Sequence, residues 1–326
     1  MWTETKLESY LEKKIKDELS IDEATGLLAR YKTAKDYLDK DIYDYIARVE
    51  CELTDHSAHH IANVLNNAWH LISDECFMNP VELYVLCSSI LFHDTGNIEG
   101  RKDHQNKVDE IYNLCFGDNA VATERRLTLG VVRAHCGTSK KGDRDTLLDV
   151  PEVLFYLNDP VRLREIASVV RLADELAEGP QRTSKYMISH DKFSDKSIIY
   201  HKYAKSTEVY IDKGNNRIIL VYNIELSDFH DISELKNFLE YIYSRIIKLD
   251  YERRYCKYYA TCLDKLKKTE VSFNFSNNGI DCDIPLSIEL VDKYPFIEDD
   301  SSALQNMFPE LNVDAIISKL PIDYES

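Results

Sequence analysis

Apolar positions spaced by three and four residues dominate the first half of the chain, which is the period of helices packed on one face. Leu27, Leu28, Tyr31, Ala34 and Leu38 mark such a face within a charged, helix-prone stretch that runs to about residue 50. From about residue 54 the signal strengthens: Thr54 or Asp55 offers an N-cap, and Ile61, Val64, Leu65, Ala68 and Ile72 follow on one side. A second helix is predicted from about Pro80 to Asp94, with Gly96 just past its end, where left-handed geometry is easiest for glycine. Two more are predicted at about 103–116 and 119–135, followed by the polar loop CGTSKKGDRD. Asp159-Pro160 reads as a cap and a proline at the first helical position, opening a helix to about Ala177 that Gly179-Pro180 stops.

The pattern then changes. SIIYHKYA (197–204), TEVYIDK (207–213) and RIILVYNIEL (217–226) are rich in β-branched and aromatic residues and predict strands, with GNN turning between the last two. A long helix from about Ile232 to Leu266 and a strand at VSFNF (271–275) complete the reading, and the acidic tail beyond Glu298 reads as solvated surface. The predicted class is mainly α: a helical bundle with an N-terminal helical extension over residues 1–185, then a smaller α+β region over 186–326.

Composition narrows the function classes. The chain has 326 residues, 44% of them apolar, and only ten glycines and eight prolines, which favours helices over a turn-dense β-sandwich. A formal charge of −17 argues against a sequence-independent grip on nucleic acid, which needs broad basic surfaces. The cysteines form no CxxC pair, and Cys87 and Cys115 sit in apolar helical patterns as small hydrophobes. With no basic-then-apolar leader after MWTETKLESY, and no run near the roughly 20 apolar residues of a membrane span, a cytoplasmic protein is expected.

Chemistry concentrates in the helical part. Seven of the ten histidines fall between positions 56 and 135. His56, His59 and His60 are spaced to share one side of a first helical turn. His93 and Asp94 end the apolar run LYVLCSSILF, at the pole of the helix that favours a cation. Asp174, in SVVRLADELAEG, shares the apolar stripe of Ile166, Val169, Val170, Ala173 and Ala177, so its carboxylate points towards the core. A buried carboxylate needs a partner. Arg171 one turn earlier is one answer; a divalent cation held together with His93 and Asp94 is another.

The order His56 … His93-Asp94 … Asp174 resembles the H…HD…D pattern of the HD superfamily of metal-dependent phosphohydrolases, which is built on a helical bundle. The contexts His56-Ser57, HDTG and RLADELA match as well, and the resemblance covers about residues 50–185. The C-terminal strands are loosely similar to an HD subfamily of bacterial conflict systems. The resemblance implies that His56, His93, Asp94 and Asp174 ligate a divalent metal, with Mn, Fe, Ni, Mg and Zn all open. It implies one or two ions per site, with His104 and His135 placed to hold the second. His60 would orient a ligand, and Asp94 would play a catalytic part as well, accepting a hydrogen bond from the attacking water.

Such a cation acidifies bound water and polarises a phosphoryl oxygen, and the charge that develops calls for cationic clamps. Between Arg101 and Arg144 nine Lys or Arg face six Asp or Glu in an otherwise acidic chain, and Arg101, Lys140 and Arg182 are the candidates for substrate. The expected function is hydrolysis of a phosphoester or phosphoanhydride bond in a small, anionic, nucleotide-like molecule. An HD-type nuclease, a catalytically silent metal- or nucleotide-binding regulatory module, and a helical interaction protein with merely packed histidines are the alternatives. No GxGxxG, GxxxxGK[ST] or GxSxG motif points elsewhere. The C-terminal region is expected to dimerise, cover the pocket or recruit a protein partner.

Overall fold

The computed structural model describes residues 3–72, 77–139, 141–142, 144–292 and 301–321. The chain divides into two compact units, Met1–Ala177 with Cys256–Asp264, and Glu178–Tyr255 with Lys265–Ser326.

The first unit is mainly helical. Its helices are α1 (Lys6–Glu18), α2 (Ile21–Leu38), α3 (Asp44–Val49), α4 (Ala58–Ile72), α5 (Pro80–Phe92), α6 (Val108–Phe116), α7 (Ala122–Val132) and α8 (Leu163–Glu175). Helix α5 explains the arrangement. Every residue from Pro80 to Phe92 is buried, so it is enclosed on all sides rather than lying on a surface. Helices α1, α2, α4, α7 and α8 pack around it. Its start is fixed by a capping box, in which Asn79 accepts from the Glu82 amide and Glu82 accepts from the Asn79 amide. Because the helix is buried throughout, the two polar residues that follow it are delivered into the interior.

Asp159-Pro160 does not open a helix. Leu154–Tyr156 (β1) and Asp159–Val161 (β2) form a hairpin in which Phe155 pairs with Pro160. Leu157 and Asn158 turn it with positive φ, 50° and 67°. Helix α8 begins only at Leu163, after Arg162 has engaged Glu82 through its amide and guanidinium.

The second unit carries α9 (Lys185–Ser189), α10 (Ile198–Ser206), β3 (Thr207–Asp212), β4 (Arg217–Glu225), most of α11 (Ile232–Tyr259), β5 (Lys268–Asn277), β6 (Ile280–Asp281), β7 (Leu286–Val291), α12 (Ser301–Met307) and α13 (Val313–Ile317). Strands β3 and β4 are antiparallel, with Thr207 opposite Tyr222; β4 and β5 are parallel, with Leu220 opposite Val271; β7 closes the other side of β5 antiparallel. The parallel pair needs a long crossover, and α11 supplies it. Ile218, Leu220, Tyr222 and Ile224 of β4, and Val271, Phe273 and Phe275 of β5, alternate into the core, where Tyr243 of α11 lies edge-on to Phe273.

Three predictions change here. SIIYHKYA is helix α10, not a strand: His201, Lys202, Tyr203 and Ala204 are buried in a run, which a helix packed on two sides permits and an alternating strand does not. The long helix stops at Tyr259, because Ala260 turns extended before a short 3₁₀ turn. The tail is not simply solvated surface, since Leu304, Leu311, Val313 and Ile316 are buried and the Tyr243 hydroxyl donates to the Leu311 carbonyl at 2.8 Å. Among the described residues no helix is long and apolar enough to cross a membrane.

Candidate metal centre

The end of α5 places the centre. His93 is its C-cap, and its Nδ1 lies 2.8 Å from the Ile90 carbonyl. A carbonyl only accepts, so Nδ1 carries the proton and Nε2 presents a lone pair. His56, just ahead of α4, is held alike by the Thr54 carbonyl at 2.5 Å. So are His104 by Arg101 at 3.1 Å and His135 by Val132 at 2.6 Å. Fixing the tautomer through the far ring nitrogen is how proteins prepare histidines as metal ligands.

These lone pairs converge on Asp94, which is buried. Its Oδ2 faces Nε2 of His93 at 3.3 Å, of His60 at 3.5 Å and of His56 at 3.7 Å. Its Oδ1 faces Nε2 of His104 at 3.1 Å and of His135 at 3.8 Å, and accepts from the Asn97 amide at 3.0 Å. Asp174, from the last turn of α8, reaches the first group: its Oδ1 lies 3.2 Å from His60 Nε2 and 3.5 Å from His93 Nε2. Arg171 turns away from it, donating to Thr146 Oγ1 at 2.8 Å and to the Ala134 carbonyl.

Two metal-competent clusters therefore flank one carboxylate. His60, His93, Asp94 and Asp174 form one, and His104, His135 and Cys136 the other. His60, predicted only to orient a ligand, stands in the first cluster, with His56 beside it. Cys136 is the residue that sequence reasoning passed over. Its one signal was its place directly after His135, which the search for CxxC spacing does not register.

The donors fit a cation. Both ring nitrogens of His60 and Nε2 of His93 are buried without a hydrogen-bond partner, although carboxylate oxygens lie close by. Charge-assisted hydrogen bonds would draw those groups to roughly 2.7–2.9 Å. The observed separations are instead those of neighbouring ligands around an ion. Electrostatics agree. Burial alone would raise the Asp94 carboxyl, but His93, then His104, His135 and His60, hold it well below the carboxylate range. Burial opposes the charged form of His93, and Asp94 and Asp174 nevertheless push it up to about 10, so Nε2 holds a proton at neutral pH and presents its lone pair only when a cation takes that proton's place. Burial likewise raises the Cys136 thiol, but His135 and His104 bring it down to about 6. Buried carboxylates of this kind need positive charge beside them, which protonated imidazoles or a bound cation can supply.

The substrate candidates separate. Arg101 stands at the rim, its side chain 51% exposed, with Nη1 4.0 Å from Asp94 Oδ1 and donating to Asn97 Oδ1 at 3.2 Å. Arg182 is buried in the second unit and donates to Glu178 at 3.2 Å. Held in that way it neutralises Glu178 rather than standing ready for an anion. Lys140 lies outside the described residues.

The glycine after α5 also has a different reason from the predicted one. Gly96 is not left-handed. It lies in a 3₁₀ turn, Thr95–Glu99, where a Cβ would sit 2.0 Å from the His104 carbonyl oxygen. Close approach of backbone to backbone, not φ, requires glycine here.

Searches among curated proteins and among solved structures give no match. A family model, HD-CE, matches residues 50–248, more than half of the chain and every residue of both clusters. With an imidazole and carboxylate cluster of HD type at the end of its central helix, the chain belongs to the HD-CE family.

Proposed function

We propose that the protein is a metal-dependent hydrolase that cleaves a phosphoester or phosphoanhydride bond in a small nucleotide-like molecule, with water as nucleophile. The observation that carries this is the convergence of four histidine lone pairs, each set by a backbone carbonyl, on the two oxygens of Asp94. In this reading His60, His93, Asp94 and Asp174 hold one cation with His56 beside them, and His104 and His135 serve a second. A divalent ion bound there supplies the charge that acidifies water and polarises a phosphoryl oxygen.

The chain's own residues do the rest. Both oxygens of Asp94 already face imidazoles, so Asp94 anchors the centre and has little capacity left to accept a proton from water. Asp174 is better placed for that, because its side chain is 25% exposed whereas those of His60, His93 and Asp94 are 0%, 0% and 5% exposed. Arg101, at the same rim, pairs with phosphoryl oxygens that enter from solvent.

Phosphate release and product mapping across a nucleotide panel, with Mn²⁺, Mg²⁺, Ni²⁺ and Fe²⁺ supplied in turn, test the reading. Asp174→Asn is expected to lower kcat/KM by about 10²–10³-fold, on the scale of losing one transition-state interaction. Asp94→Ala should abolish both turnover and metal content. His190→Ala and His230→Ala, at exposed positions of the second unit, should leave turnover near wild type. Metal binding without release of phosphate from any nucleotide would favour a silent regulatory module. Cleavage of single strands that falls steeply with salt would favour a nuclease.

A further inference from the structure

The two clusters around Asp94 are chemically unlike. The first offers imidazole nitrogens and carboxylate oxygens; the second adds sulfur. We propose that Cys136 is a metal ligand, and that Sγ of Cys136, Nε2 of His104 and His135 and Oδ1 of Asp94 form a position for a thiolate-binding cation such as Zn²⁺. This rests on the metal-centre reading above and goes beyond it by naming a residue and a class of cation.

The separations carry the inference. A tetrahedral ion held at roughly 2.0–2.1 Å by nitrogen and about 2.3 Å by sulfur sets nitrogen–nitrogen edges of ~3.3 Å and nitrogen–sulfur edges of ~3.6 Å. His104 Nε2 lies 3.3 Å from His135 Nε2, and Cys136 Sγ lies 3.6 Å from His104 Nε2. Asp94 Oδ1 completes the set, 3.1 and 3.8 Å from the two nitrogens. With each Nδ1 turned to a backbone carbonyl, both Nε2 atoms face one another and Asp94 Oδ1, so a cation between them would meet three donor atoms at once.

The backbone is shaped for the same end. Gly96 lets the His104 segment close onto the turn after α5, and Gly137, directly after Cys136, is left-handed at φ +83°. A Cβ on Gly137 would lie 2.5 Å from the Gln105 side chain, the neighbour of His104. Coordination forms an S–metal bond from the thiolate lone pair, any remaining thiol proton passing to solvent, with no change of oxidation state. Soft sulfur selects zinc or ferrous iron over magnesium, whereas the oxygen-richer first cluster accepts harder ions. The centre should therefore bind two different cations.

Cobalt substitution of the full chain tests this. Stripped protein titrated with Co²⁺ should show ligand-field absorption together with a near-ultraviolet thiolate-to-cobalt charge-transfer band. Cys136→Ser should lose the charge-transfer band and retain ligand-field absorption from the first cluster, with bound cobalt falling from two equivalents to one. Alkylation of Cys136 in the wild-type chain, followed by peptide mass spectrometry, gives a readout that needs no variant. Zinc should suppress it, and a chelator should restore it. A charge-transfer band that survives in Cys136→Ser, or ligand-field absorption without that band in the wild type, would overturn the assignment of Cys136 alone. Alkylation unchanged by saturating zinc would do the same. Absence of any cobalt absorption would overturn the metal-centre reading as well.

Discussion

At the scale of single residues, the centre depends on which groups are denied freedom. Four histidines spend one ring nitrogen on a backbone carbonyl, and that fixes both tautomer and aim. His60 differs, being fully buried with both ring nitrogens unpartnered, which makes it the group with most to gain from an ion. Gly96 belongs to the same economy of space. Gly96→Ala must push the His104 backbone away, because the contact is with a carbonyl and not with a flexible side chain. Zinc affinity at the second cluster is expected to fall by about 10–100-fold, as when a group orienting a ligand is lost. Stability should fall by about 1–3 kcal/mol from overpacking. Competitive zinc titration and thermal melts read the two effects separately, and the first cluster should keep its ion.

At the scale of elements, charged residues tie the helices that surround α5. Glu8 of α1 is buried, accepts from the Thr5 amide at 2.8 Å, and meets Tyr31 and Lys35 of α2 at 2.9 and 2.6 Å. Burial alone would raise its carboxyl, but Lys35, Thr5 and Tyr31 together hold it below its ordinary value. The sign follows from linkage: a lowered folded pKa contributes stability above the unfolded value of about 4.3 and loses it as pH falls through the lower folded value. Glu8→Gln should therefore cost about 1–3 kcal/mol near neutral pH, and its gap from wild type should narrow below about pH 4. Urea midpoints measured across that range check it; a gap that widened in acid would contradict the assigned partners. Glu124 of α7 plays a similar part, taking both Arg30 Nε at 2.9 Å and Nη2 at 2.6 Å, the Tyr84 hydroxyl at 2.7 Å and the Tyr156 hydroxyl. Glu124→Ala leaves a half-buried guanidinium without its counter-charge and should cost roughly 3–5 kcal/mol, read by chemical denaturation.

At the scale of the whole molecule, the chain carries a net charge of −17, and Arg101 stands at the rim of the centre, where the small anionic ligand proposed above would be met. The first unit holds every residue of both metal clusters. Ions at 100 times their dissociation constant should stabilise that unit by about 2.7 kcal/mol if they bind only the folded form. Thermal melts with Mn²⁺ or Zn²⁺ against a chelator should show a rise in the wild type that is absent in Asp94→Ala. Equal rises in both would place the binding ions elsewhere on this acidic surface.

What the sequence determined by itself is what local periodicity and residue type encode. The faces of α4 and α8, the continuous apolar run of α5, and the β-branched and aromatic composition of β3, β4 and β5 were all legible, because each is a property of near neighbours. So were His93-Asp94 and Asp174, since polar groups that terminate or interrupt an apolar stripe announce a burial problem without any knowledge of the fold. Tertiary structure alone decided the rest. SIIYHKYA has strand-like composition, yet Lys202 donates to the Asp228 carbonyl at 2.6 Å and the segment packs as a helix. Likewise, Asp159-Pro160 suits a helix start, yet pairing with Leu154–Tyr156 holds it extended. The strand Leu286–Val291 shows itself only when β5 is there to pair with it. Most of all, the meeting of Asp94 with His60, Asp174, His104, His135 and Cys136 joins residues from separate helices and loops. No local pattern encodes that distance; burial of α5 does, by carrying its polar end to the place where the other helices converge.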